Sequence, residues 1–315
     1  MNVLITGVAG FIGSHLADRL LSDGQTVTGL DCFTDYYPRA YKEANLAVNA
    51  GRPGFRFVET AIQQADLPRL LDGVTHVYHL AAQAGVRKSW GRDFQIYTEN
   101  NIDATQMLLE ACVGLPVAKF VYASSSSVYG DESEIPMRED QVPRPLSPYG
   151  VSKLAGEQLC HLYTVNHGLA TASLRYFTVY GPRQRPDMAF HRFLRAALDG
   201  SPVQVFGDGL QTRDFTFVAD AVNATVLAAR HGVPGRAYNI GGGSRVSVNE
   251  ILDVIAEIAG RPVEIHRGPP QKGDMRDTYA DTSLARADLG FAPTTSLRAG
   301  LEAEYRWLAS SPVHA

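Results

Sequence analysis

Short apolar runs rich in β-branched residues recur along the first half of the chain, separated by longer stretches whose apolar positions fall at helical spacing. The runs VLITG, TVTGLD, FRFVET, HVYHLAA, KFVYASS and ATASLRYF read as strands. Between them, segments such as SHLADRLLSDG and NIDATQMLLEACV read as crossover helices. That alternation, sustained to about Arg175, predicts an α/β fold built on a doubly wound parallel sheet. Beyond Phe177 the character changes: GPRQRPDM, FGDGLQTRDF and GGGSRVSVNE set Gly, Pro and charged residues between shorter periodic pieces. A smaller α/β C-terminal lobe is predicted there, with amphipathic helices near Val248–Ala259 and Leu297–Leu308. The expected units are residues 1–176 and 177–315, with some segments of the second returning to the first.

Composition narrows the function classes. The 315 residues are 45% hydrophobic and 20% charged, as in soluble globular proteins. A net charge of -4 without any Lys/Arg block predicts neither a nucleic-acid nor an anionic-membrane partner. Cys32, Cys112 and Cys160 form no CxxC, so no disulfide framework or zinc knuckle is expected, and a reducing cytoplasm fits. The opening Met1, Asn2 and Val3 precede no signal-type apolar stretch, and no window has the length of a membrane span. With no HExxH and no calcium-loop spacing, the nine histidines are read as core or surface groups and no metal is expected.

Gly7, Gly10 and Gly13 lie in TGVAGFIGSHL, directly after a predicted strand and opening a predicted helix. This is the Rossmann context, in which glycines permit a tight turn and bring a pyrophosphate to the helix N-terminus. Taken alone, the spacing fits any tight strand-to-helix turn. Asp31 ends the second strand, where its carboxylate would accept from an adenosine ribose and repel a 2′-phosphate, so NAD is the expected cofactor. Its bland reading is a solvated turn residue.

Tyr149 and Lys153 in SPYGVSKLAGE share one face of a predicted helix. A lysine ammonium beside a phenol favours the phenolate, which could then exchange a proton with a sugar hydroxyl. Such a pair is equally an ordinary surface pair until its surroundings are counted. Upstream, KFVYASSSSVYG ends in Ser124, Ser125, Ser126 and Ser127, at the strand end where ligands bind in such sheets. Without that context, the serines read as a polar loop.

These motifs together resemble the extended short-chain dehydrogenases of the epimerase/dehydratase group. The segments HLAAQAGVRKSW, RPLSPYGVSKLAGE, LRYFTVYGPRQRPDMAFHRF, FGDGLQTRDF and GDMRD are most similar to bacterial UDP-glucuronic acid 4-epimerases. The resemblance covers nearly the whole chain. It implies that Tyr149 and Lys153, with Ser127 bonding the sugar 4-hydroxyl, catalyse a transient oxidation of C4 and its reversal on the other face. Relatives that decarboxylate the sugar carry Glu before VYG, where this chain has Ser127. Cofactor contacts are implied for Phe11, Ile12, Ile62, Leu80, Ala81, Ala82 and Asn101, although Ala61 stands where many members have Asp.

On the substrate side, the resemblance gives Ser125, Ser126, Ser127 and Thr178 to the uronate carboxylate. It gives Arg213 and Arg276 to the diphosphate, and Arg185 to the sugar or phosphate. Val205, Phe206 and Gln211 fall near the uridine, and Arg87 and Ser89 face the pocket. A homodimer through helices near residues 101–114 and 150–166 is also implied. The alternatives are a UDP-galactose 4-epimerase, a UDP-glucuronate decarboxylase and a non-catalytic NAD-sensing regulator.

Overall fold

The computed structural model describes residues 1–131, 133–271 and 273–311. The six runs read as strands are strands: β1 (Asn2–Thr6), β2 (Thr26–Asp31), β3 (Phe55–Glu59), β4 (His76–His79), β5 (Lys119–Ser125) and β6 (Thr171–Tyr176). Six further strands follow. They are β7 (Thr178–Tyr180), β8 (Val203–Phe206), β9 (Thr212–Phe217), β10 (Arg236–Ile240), β11 (Arg245–Ser247) and β12 (Ile265–Gly268). The main sheet runs β10-β6-β5-β4-β1-β2-β3, and every pair in it is parallel. Strand order reverses between β1 and β4, so a crevice opens at their carboxyl ends, where doubly wound sheets bind ligands.

Burial explains why these runs are continuous rather than alternating. β6 is buried at all six positions, because helices cover both faces of the sheet. One core packs helices Phe11–Ser22 and Val218–His231 on one face; a second packs Ala104–Cys112 and Pro148–His167 on the other. A third core unites Ala189–Asp199, Val248–Ala259 and Leu297–Ser310 over the small sheets β11-β9-β7 and β12-β8. The helix Val248–Ala259 starts with a capping box, the Ser247 hydroxyl and the Glu250 carboxylate satisfying each other's backbone N–H groups.

The loop after β7 crosses the helix Phe11–Ser22. His15 donates from Nε2 to the Pro182 carbonyl (2.8 Å), and Arg183 reaches the Ser14 hydroxyl (3.3 Å). Burial and the nearby Arg183 push His15 down to about 4. The native imidazole therefore stays neutral while the unfolded one takes a proton near its ordinary value of 6.5. A folded-state value below the unfolded one means that stability is lost as pH falls through this window, by up to about 1.4 kcal/mol per pH unit. His15→Gln should flatten the fall in urea midpoint between pH 6.5 and 4 relative to wild type, and equal slopes would refute the assignment.

Candidate active site

β1 ends one residue before Gly7, which turns back at φ +74°. A Cβ at Gly7 would lie 2.7 Å from the Ala81 nitrogen, and one at Gly13 would lie 2.1 Å from the Gly7 carbonyl oxygen. Glycine is thus required where the loop nests against β4 and its own helix. Gly10 caps the helix Phe11–Ser22 without a side-chain bond, leaving the helix N-terminus open to an anion. Asp31 closes this end: its carboxylate accepts from the Ala9 (3.1 Å) and Phe33 (2.9 Å) amides. Burial raises its pKa, while those bonds and Lys42 oppose the rise.

One cleft of about 700 Å³ runs from this turn to the C-terminal lobe. Gly7, Gly10, Phe11, Ile12, Gly13, Asp31, Ile62, Leu80, Ala81 and Ala82 line its first half. Ser125, Ser126, Ser127, Tyr149, Lys153 and Thr178 line its centre, and Arg87, Arg185, Val205, Phe206, Gln211 and Arg213 its far end. The donor set fits a dinucleotide: backbone amides for phosphates, an acidic ribose acceptor and apolar walls.

Three expected residues lie off this surface, and one of them, Ser89, is fully buried and donates its hydroxyl to the Val86 carbonyl (2.7 Å). Asn101, 1% exposed, stands behind the wall, accepting from the Gln83 amide (2.7 Å) and donating to the Gln83 carbonyl (3.0 Å) and Ser152 hydroxyl (2.8 Å). It supports the cleft through Gln83 instead of touching a ligand. Arg276 spends both terminal nitrogens on Asp208 (2.9 Å each) at the exposed surface, so its guanidinium does not line the cleft. Arg213 does, donating its terminal nitrogens to the carbonyls of Thr212, Met275 and Arg276. Burial lowers its pKa, opposed by the nearby Asp274, Asp277 and Asp131.

At the centre, Ser147 caps the helix Pro148–His167 by accepting from the Gly150 amide (3.1 Å). A Cβ at Gly150 would sit 2.4 Å from the Ser127 carbonyl oxygen, so glycine lets the helix dock on the serine run. Tyr149 and Lys153 do share its inner face. The Ser125 hydroxyl lowers the pKa of the Tyr149 phenol, and it donates to the Ser127 hydroxyl (3.1 Å). The serine beside the phenol is therefore Ser125, and Ser127 is reached through it.

The cations also differ from expectation. Lys153 donates to the Ala123 carbonyl (2.8 Å) and lies 5.1 Å from the Tyr122 ring centre. Burial pushes it down to about 8. The net effect on Tyr149 is upward, by burial, opposed by Ser125 and by the positive Arg185. Arg185 itself pairs with Asp187 (3.0 Å) and lies over the Tyr36 ring.

Sequence reasoning did not single out Tyr36, Lys42, Arg192 or Asp274, all of which line the cleft. Asp274 meets Arg87 in an ion pair (2.6 Å), and Arg87 stacks over Phe206 (4.6 Å). The tract DCFTDYYPRAYK, with four aromatics within ten residues of Asp31, was the available signal for Tyr36 and Lys42. Among the described residues, no group of three His, Cys, Asp or Glu could hold a metal ion, and no helix is long and apolar enough to cross a membrane.

The model of the NAD dependent epimerase/dehydratase family matches residues 3–241. The chain belongs to that family. A family relative from Bacillus subtilis (strain 168), "Uncharacterized UDP-glucose epimerase YtcB", is 45% identical over 312 residues, covering 98% of each chain. The UDP-glucuronate 4-epimerase of Thermodesulfobacterium geofontis is 36% identical, covering 96% of this chain and 95% of its own. A family structure, UDP-glucuronic acid 4-epimerase from Bacillus cereus in complex with UDP-glucuronic acid and NAD, superposes with a TM-score of 0.95. It is 46% identical, covering 98% of this chain and 99% of that one.

Proposed function

We propose that the chain interconverts UDP-glucuronic acid and UDP-galacturonic acid by NAD-dependent 4-epimerisation through a transient 4-keto sugar. One observation carries the reading: a tyrosine and a run of serine hydroxyls meet midway along a cleft whose two ends suit a dinucleotide and a nucleoside diphosphate. NAD supplies the hydride acceptor and donor when bound, held by Gly7, Gly10, Gly13, Asp31 and Lys153. Tyr149, as phenolate, takes the proton of the 4-hydroxyl, and Ser125, linked to Ser127, orients that hydroxyl. Ser126, Ser127 and Thr178 are the hydroxyls available to fix the carboxylate, and the serine run ends in Ser127 rather than in an acidic side chain. Elimination and proton shuttling at C5 thus lack a general acid/base partner there.

The reading is tested by incubating the purified protein with UDP-glucuronic acid and following product by NMR and mass. A galacturonate product of unchanged mass supports it, a pentose product overturns it, and exclusive turnover of UDP-glucose transfers the assignment to the hexose. Arg213→Leu should raise KM for the UDP-sugar about 10- to 100-fold with kcat changed far less, the loss expected of a charge-assisted contact. An unchanged KM would remove Arg213 from the diphosphate site.

A homodimer accompanies this proposal. Val151, Leu162 and Val165 stand exposed along one face of the helix Pro148–His167, with Ile96 exposed on the neighbouring helical segment. A second copy would cover them in a helical interface. Leu162→Glu should convert the species seen by analytical ultracentrifugation to monomer, and a wild-type monomer would refute the interface. The three free cysteines support a reducing cytoplasm as the working compartment.

A further inference from the structure

Tyr149, Lys153 and Glu157 follow one another at four-residue spacing on the inner face of their helix. Glu157 is 5% exposed and Arg175, on β6, 4%. The guanidinium grips both carboxylate oxygens, through Nη2 at 2.8 Å and Nε at 3.0 and 3.2 Å. Ser124, immediately before the serine that meets Tyr149, donates to the same carboxylate. Arg175 also donates to the Tyr129 hydroxyl (2.8 Å), which donates to Asn239 of β10 (2.7 Å). One charge pair therefore ties β5, β6, β10 and the helix together directly behind the proposed catalytic groups.

Stability alone is a poor reason to bury such a pair, since desolvation offsets its Coulomb attraction and apolar side chains of like volume hold a core as well. Its position offers another. We propose that Glu157 is a positioning residue for Tyr149 and Lys153: clamped by Arg175 and Ser124, it fixes their register against the serine strand end and supplies the negative charge behind Lys153. This rests on Tyr149 and Lys153 being the catalytic pair.

The surroundings of Lys153 are few enough to name. Its own helix presents Tyr149, Glu157 and Cys160; β5 presents the Tyr122 ring and the Ala123 carbonyl; β4 presents His79, kept neutral by burial. Arg175 of β6 lies beyond Glu157, and Arg185 of the C-terminal lobe acts on Tyr149. Glu157 is thus the nearby carboxylate that favours the ammonium form.

The test uses NAD-loaded enzyme and the pH profile of kcat. In Glu157→Gln the neutral amide keeps hydrogen bonds to Ser124 and Arg175, but Arg175 is left as the nearer net charge. The alkaline limb should move about one pH unit toward acid, a roughly tenfold loss of kcat on that limb, with KM little changed. Glu157→Gln/Arg175→Gln removes both charges, and its limb should fall between Glu157→Gln and wild type. Should the single variant fail to fold, the double variant's limb still lies below wild type if the proposal holds. Superposed limbs, or a loss confined to melting temperature, overturn it. A Tyr149→Phe protein that still turns over would instead sink the catalytic pair itself.

Discussion

Tyr149→Phe should lose at least about 10³-fold in kcat while still binding NAD and the UDP-sugar, because it deletes the hydroxyl proposed to exchange a proton with the sugar. The ring stays: it sits edge-on to Tyr97 at 6.2 Å, and phenylalanine keeps that contact. What disappears is the oxygen on which Ser125 acts. Calorimetry with NAD and with UDP-glucuronic acid separates the two effects. Retained binding with no turnover is the expected pattern. Turnover within tenfold of wild type would move the catalytic base elsewhere, and loss of NAD binding would make Tyr149 a structural residue. An NAD-sensing regulator would have no turnover to lose.

A comparably large effect is expected at the other end of the cleft. Gly13→Val places a branched side chain where even a Cβ comes within 2.1 Å of the Gly7 carbonyl oxygen and 3.0 Å of the Val8 Cα. Both neighbours are backbone and cannot swing aside, so the helix must lift from the loop that faces the phosphates. Overpacking of this kind costs about 3 kcal/mol, or roughly 100-fold in NAD affinity, and kcat should fall in step at subsaturating cofactor. Fluorescence titration with NAD reads this out. Full affinity in the variant would show that the loop does not hold the dinucleotide.

These effects rest on features of unequal legibility. The six main strands were visible as apolar runs because both sheet faces are covered, and Gly7, Gly10 and Gly13 were visible because a turn between strand and helix has strict backbone needs. β10 was not singled out. RAYNI is five residues long between glycines, and what makes it a strand is pairing with β6, more than sixty residues earlier. The choice among serines was equally hidden. The chain leaves β5 at Ser125 (φ -152°, ψ 148°) for a single helical turn, Ser126–Val128, so two-residue alternation no longer tells which hydroxyl meets the phenol. Resemblance named both Arg213 and Arg276 for the diphosphate; only contact with Asp208 sends one of them away from the cleft. Asn101 was read as a cofactor contact, yet its side chain serves Gln83 and Ser152 behind the cleft wall.

In the proposed reaction a hydride leaves C4 of the sugar and returns to the same carbon on its opposite face. UDP-glucuronic acid carrying deuterium at C4 tests it directly. The account predicts UDP-galacturonic acid that keeps the deuterium at C4, with no solvent hydrogen incorporated and no change in total mass. Washout of the label into solvent, or its appearance at another carbon, would contradict it.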